Sequence, residues 1–181
     1  MPRGKLLLFN GKGKHPLGKA VPGGAGGAVK IQISVQMSLQ HAYCGIGTIS
    51  LTLARHVKKV YGVEVVPQAI VDAKENAERN HITNAEFVCD DAGHFMTEFV
   101  ERNEKVDCVM VDPPRKGCST EFLERLTTLS PERIVYISCN VATQARDLTY
   151  LVEKGYKPLD VQPVDMFPHT PHIENILLLS K

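Results

Sequence analysis

A chain of 181 residues, 43% hydrophobic and 23% charged, has room for one domain of ordinary size around a single core. No stretch reaches the ~18 consecutive apolar residues that span a bilayer, and the apolar run Leu6–Phe9 is shorter than the roughly 7–15 residues of a secretory signal, so a cytoplasmic location without membrane contact is expected. The net charge of +1 hides an asymmetry: residues 1–63 carry nine Lys/Arg and no acid, whereas residues 64–181 carry twelve Lys/Arg against twenty Asp/Glu.

Residues 1–30 hold eight of the fourteen glycines, including the run Pro22-Gly-Gly-Ala-Gly-Gly-Ala28. Such a composition buries too little apolar surface to offset its conformational entropy, which predicts a flexible basic tail. Its charge suits either an electrostatic contact with nucleic acid or a leader with no part in the fold. The G-x-G at Gly11 and Gly13 has no strand before it and no helix after it, so it carries little weight as a phosphate loop.

From Ile31 the pattern predicts alternating strands and helices, and a catalytic domain over 31–181. Ile31–Met37 alternates apolar and polar residues as a strand does. Tyr43-Cys-Gly-Ile-Gly-Thr48 reads as a tight turn into a helix ending near His56. Lys59–Val65 reads as a strand, and Pro67 opens a helix to about Asn80. Ala85–Cys89 and Val106–Val111 read as short strands flanking a helix. Ser119 caps a helix to Leu129, Arg133–Ser138 is a strand, and Val141–Lys154 is a helix. Tyr156–Asp165 and Ile173–Ser180 close the chain. This succession predicts a Rossmann-like α/β fold, a mostly parallel sheet with helices on both faces, whose ligands bind beyond the strands' carboxyl ends.

The chemistry-bearing residues fall at those ends. Gly45 and Gly47 let a ligand approach the backbone and expose amide groups at a helix start. Glu64, nineteen residues after Gly45, can accept from both hydroxyls of a ribose. Position 50 is serine, so the third glycine of a dinucleotide-binding G-x-G-x-x-G is absent, which disfavours a nicotinamide dehydrogenase. Asp91 could meet an adenine amino group, a role Asp90 suits equally, or simply cap a helix. Asp112-Pro-Pro-Arg-Lys-Gly117 leaves its strand stiffened by two prolines, holding an acid at the rim. Ser138-Cys139-Asn140 puts a thiol before a helix N-terminus, which favours thiolate, and Asn140 can cap that helix. His169, His172 and Glu174 lie in a proline-broken loop that does not match zinc-helix spacing, so no metal is expected. Five scattered cysteines without a C-x-x-C pair predict reduced thiols rather than disulfides.

Taken together, A-Y-C-G-I-G-T, D-P-P-R-K-G, S-C-N and H-T-P-H-I-E resemble the RNA 5-methyluridine (uracil-C5) methyltransferase family, from Ala42 to Lys181. The resemblance implies a class I S-adenosylmethionine-dependent methyltransferase fold, with ribosomal or transfer RNA as partner. It implies that Cys139 adds to uracil C6, that Glu174 removes the C5 proton, and that the target base is unstacked to react. It also implies cofactor contacts at Tyr43, Gly45, Gly47, Thr48, Glu64, Asp91 and Asp112. Two positions depart from the family pattern: His41 replaces an Asp before the glycine turn, and Val141 replaces a Pro after S-C-N. The N-terminal β-barrel, the central domain and a Gln-bearing segment of longer members are not recognisable before Ala42. A gene product truncated at its N-terminus, with a foreign first forty residues, is therefore expected, and an inactive remnant with residual cofactor or RNA binding is the alternative to an active enzyme. The sequence leaves the oligomeric state open.

Overall fold

Five helices and a seven-stranded sheet alternate from Ser38 onward in the computed structural model, which describes residues 5–7, 30–32, 35–166 and 169–181. Before them, strands β1 (Lys5–Leu7) and β2 (Lys30–Gln32) pair antiparallel. The rest of the expected tail, with its Gly-rich run, lies outside the described residues. The main elements are β3 (Ser38–Ala42), α1 (Thr48–Ala54), β4 (Lys59–Glu64), α2 (Pro67–Arg79), β5 (Ala85–Cys89), α3 (Ala92–Glu101) and β6 (Cys108–Val111). They continue through α4 (Thr120–Leu129), β7 (Arg133–Ser138), α5 (Val141–Glu153), β8 (Lys157–Val164) and β9 (Glu174–Ser180).

The strand expected over Ile31–Met37 is met only at Ile31 and Gln32, in β2, and residues 33–34 lie outside the described residues. Residues 30–32 pair with β1, and the first strand of the main sheet begins at Ser38. The alternation in residues 31–37 was misleading because β3 lies at the sheet's centre with both faces covered. A strand buried on two sides need not alternate. Leu39, Gln40, His41 and Ala42 are all buried despite two polar side chains.

The strand order is β5-β4-β3-β6-β7-β9-β8. Strands β3 to β7 run parallel, and β9 enters antiparallel between β7 and β8. The chain builds outward from β3 to β5, then crosses back to place β6 against β3's other side, so the order reverses between β3 and β6. A crevice opens at such a point beyond the carboxyl ends.

Helices cover both faces. On one, Phe95, Met96 and Phe99 of α3, Phe122, Leu123 and Leu126 of α4, and Leu151 of α5 pack on Val63, Val109, Val111, Ile134 and Tyr136. On the other, Leu53 and Ala54 of α1 meet Leu39, Val60 and Met110, while Ile70, Ala73 and Ala77 of α2 close over Phe87. Each buried aromatic or aliphatic side chain contributes about 1.5–3 kcal/mol, which fixes which face each helix presents. No helix among the described residues is long and apolar enough to cross a membrane.

Candidate active site

The glycine turn after β3 is shaped by three left-handed residues at alternate positions, Tyr43 (φ 63°), Gly45 and Gly47. Gly47 (φ 82°) ends the turn and precedes α1; a Cβ there would stand 2.8 Å from the Phe87 ring. Gly45 (φ 53°) differs, because a Cβ there would meet nothing within 4 Å. The backbone is therefore packed at Gly47 and open at Gly45, the arrangement of a ligand cradle. Thr48 is exposed at the first residue of α1, and the Tyr43 ring lies 5.4 Å from that of Phe122.

Glu64 is fixed by three backbone donors. Gly45 N–H donates to Oε2 at 3.2 Å, while Val65 and Val66 N–H donate to Oε1 at 2.9 and 3.2 Å. Oε1 thus has both lone pairs engaged, and Oε2 retains one for a further donor. Ile46, Val65 and Val66 are exposed beside it.

Asp91 takes the capping role left open above. Its Oδ1 accepts from Gly93 N–H and His94 N–H at 2.9 and 3.0 Å at the start of α3. Asp90 accepts from Asp91 N–H and meets His94 Nδ1 at 2.7 Å. Asp90, His94 and Glu98 gather their ligand atoms within 4.8 Å on the exposed side of α3, where Glu98 is also paired with Arg102.

The other half of the rim is assembled from β6, β7 and β9. Asp112 follows β6, and Cys139, half-buried, follows β7. Because β9 runs antiparallel to β7 with Ser138 opposite Asn175, Glu174 at the start of β9 is delivered to the end where Cys139 sits. Burial, and then the charge of Glu174, push the Asp112 carboxyl up to about 6. Glu174 is itself raised above the ordinary carboxylate range by burial, an effect His172 partly offsets. Arg115 Nη2 lies 3.5 Å from His172 Nδ1, joining the D-P-P-R loop to the loop before β9.

Asn140 caps α5, its Oδ1 accepting from Ala142 N–H at 3.1 Å. His41 does not reach the glycine turn. Its Nδ1 lies 2.8 Å from Ser50 Oγ on α1, its Nε2 is buried without a partner, and burial lowers it to about 4. Three buried polar groups escaped the sequence reading: Tyr136, Gln144 and Asp147, which bind the loop after β6 and the start of β9 to α5. Their one legible sign is the polar spacing Asn140, Thr143, Gln144, Asp147 along one helical face.

A family model described as tRNA (Uracil-5-)-methyltransferase matches residues 26–181, so the match begins upstream of Ala42 and takes in all of β3. An RNA methyltransferase of Bacillus cereus is 54% identical over 140 residues, covering 77% of this chain and 30% of that protein. One of Staphylococcus aureus is 55% identical over 138 residues, again covering 30% of its length, so the chain spans under a third of these relatives. Among solved structures, the Pyrococcus abyssi tRNA (uracil-54, C5)-methyltransferase in complex with S-adenosyl-L-homocysteine is 34% identical. It has a TM-score of 0.65 and covers 81% of this chain and 35% of that one. An rRNA methylase from Streptococcus thermophilus shares the fold at TM-score 0.65 and 16% identity, over 82% of this chain and 89% of that one. With this sheet order and a family match across most of its length, the chain belongs to the tRNA (uracil-5-)-methyltransferase family and has the S-adenosylmethionine-dependent methyltransferase fold.

Proposed function

We propose that this chain carries the methyl-transfer site of an S-adenosylmethionine-dependent enzyme that methylates C5 of uracil in RNA. The observation that carries this reading is the β7–β9 register, which sets a thiol, Cys139, and a carboxylate of raised pKa, Glu174, on one rim with Asp112.

The residues fit the cofactor. Open space at Gly45 admits a ligand against the backbone, Glu64 Oε2 retains a lone pair for a ribose hydroxyl, and Ile46 and Val65 offer apolar surface to a purine. Tyr43, Gly47 and Thr48 follow β3, Asp91 follows β5 and Asp112 follows β6, all beyond the carboxyl ends of parallel strands, and in this reading they face the same ligand. When bound, S-adenosylmethionine would supply an electrophilic methyl group, its S–CH3 bond breaking to leave S-adenosylhomocysteine.

Uracil C5 is a weak nucleophile, and a thiolate on C6 makes it enolate-like. In this reading Cys139 Sγ bonds to C6, and the electron pair of the C5–C6 double bond passes toward C5, which takes the methyl group. Glu174 then accepts the C5 proton, the double bond reforms, and the C6–S bond breaks to return the thiolate. Burial raises the proton affinity of Glu174, which suits it to that task. The RNA is tRNA or rRNA; the family description and the Pyrococcus neighbour favour tRNA. Action in the cytoplasm is part of the same proposal.

The test is transfer of a labelled methyl group from S-adenosylmethionine to tRNA and rRNA transcripts, followed by digestion to nucleosides. Label in 5-methyluridine that disappears in Cys139→Ala is expected. Label in another nucleoside, or label that survives Cys139→Ala, would overturn the reading.

A further inference from the structure

The helix that follows Cys139 is fastened to the D-P-P-R-K-G loop and to β9 by a continuous set of side chains. Asn140 Nδ2 donates to the carbonyl of Arg115 at 3.1 Å, and the single hydroxyl proton of Thr143 is shared between that carbonyl and the carbonyl of Asn140, each at 3.1 Å. Arg146 Nη2 donates to the carbonyls of Lys116 and Cys118, also at 3.1 Å. Asp147, buried, accepts from Cys118 N–H at 2.8 Å and from the Tyr136 hydroxyl at 2.6 Å, and its other oxygen accepts from Arg146. The fit over the loop is close. A Cβ on Gly117 (φ 77°) would stand 2.6 Å from Arg146 Nη2 and 2.7 Å from Asp147 Oδ2.

On the neighbouring side of α5, buried Gln144 donates to the carbonyls of Tyr136 and Asn175 at 3.0 and 3.2 Å, and accepts from Asn175 Nδ2 at 2.5 Å. Asn175 is the residue after Glu174. One helix, beginning two residues after Cys139, thus grips the loop that starts at Asp112 and the strand that starts at Glu174.

Such bonds are more than filling. Those to Arg115, Lys116 and Cys118 satisfy backbone groups of a loop that lies outside the sheet ladders, and leaving the buried Cys118 N–H unpaired would cost about 1–3 kcal/mol. A hydrophobic α5 would pack equally well on the sheet and leave the loop free.

We propose that Thr143, Gln144, Arg146 and Asp147 are positioning residues that hold Asp112 and Glu174 in register with Cys139. This rests on the uracil-methylating reading for its chemical consequence, not for the clamp itself. An error of about 1 Å among reacting groups costs on the order of a hundredfold in rate. Loosening the clamp therefore lowers turnover and leaves in place the cofactor contacts that come from β3–β5.

Thr143 gives the cleanest test, because valine matches its shape and serine keeps its hydroxyl. Thr143→Val, Thr143→Ser and Asp147→Asn are compared with the unaltered chain by three measurements: hydrogen exchange across residues 112–118 and 172–176, alkylation of Cys139 by iodoacetamide with exposed Cys89 as internal reference, and methyl transfer beside S-adenosylhomocysteine affinity. For Thr143→Val the expected result is faster exchange confined to residues 112–118 and an altered Cys139-to-Cys89 alkylation ratio. Turnover should fall about tenfold or more with ligand affinity unchanged, and Thr143→Ser should restore all three. Unaltered exchange and alkylation in Thr143→Val overturn the clamp, whatever the activity. A chain that methylates no uracil yet shows the local exchange and alkylation changes keeps the clamp and loses the uracil reading. Should Asp147→Asn not fold, the Thr143 pair decides alone.

Discussion

Two buried titratable side chains, His41 on β3 and Asp112 after β6, bind protons in opposite senses. His41 is lowered to about 4 by burial, so between about 4 and its ordinary 6.5 the unfolded chain holds a proton that the folded one lacks. Stability through His41 is therefore lost as pH falls through that window. Asp112 is raised from 3.8 to about 6 by burial and by Glu174, so the folded chain holds the extra proton, and stability is lost as pH rises from about 4 to about 6. The two slopes oppose each other over nearly the same range. Asp112→Asn removes one of them. Above pH 7 that variant is expected to be more stable than the parent by about 2 kcal/mol, allowing for partial solvent screening. The advantage should vanish near pH 4, and the variant should weaken on acidification as His41 demands. Urea midpoints at pH 4.5, 5.5 and 7.5 check this; an equal difference at all three would show that Asp112 does not titrate as described. The same substitution removes a rim carboxyl, so its gain in stability should come with lost activity.

At the scale of elements, what the sequence announced was local. Ser119 and Asn140 were legible as caps because a cap depends on residues two and three positions away, and both bonds are formed. Asp91 illustrates the limit. Its capping bonds are equally local, but a ligand contact cannot be read from spacing, and the two roles must be separated by substitution. Asp91→Ala should destabilise α3 by about 1 kcal/mol through loss of the cap. Asp91→Asn keeps an oxygen for Gly93 and His94 N–H but replaces the other with a donor. If Asp91 accepts from an adenine amino group, the Asn variant should stay within about 0.5 kcal/mol of the parent and bind S-adenosylhomocysteine about tenfold more weakly. Equal affinity would reduce Asp91 to its cap. Strand β3 was illegible for a different reason. Its identity comes from neighbours on both sides, β4 and β6, which bury Gln40 and His41 regardless of their polarity. The closeness of Cys139 and Glu174 was equally hidden, since it depends on β9 turning antiparallel beside β7. From motifs alone, it was reached only by resemblance.

Across the whole molecule, the reversal of strand order between β3 and β6 divides the crevice into two halves of different purpose. Strands β3, β4 and β5 end in the glycine turn, Glu64 and Asp91, and strands β6, β7 and β9 end in Asp112, Cys139 and Glu174. The halves share a sheet but few side-chain bonds. The Glu64 carboxylate is held by backbone of its own half, and the α5 clamp reaches only β6–β9 and the loop between β6 and α4. Binding and chemistry should therefore separate by substitution. A ligand at a hundred times its Kd stabilises a folded chain by about 2.7 kcal/mol, which for a chain of this size is a rise of several degrees in Tm. S-adenosylhomocysteine is expected to produce that rise in the parent and in Cys139→Ser alike, while Cys139→Ser transfers no methyl group. Glu64→Ala should lose the rise yet keep the parent's Cys139 alkylation rate, because Glu64 ends β4 and Cys139 follows β7, with β3 and β6 between them in the sheet. A Cys139→Ser variant that no longer responds to the ligand, or a Glu64→Ala variant with altered Cys139 reactivity, would mean that the two halves act as one unit and that the division at β3 and β6 is topological only.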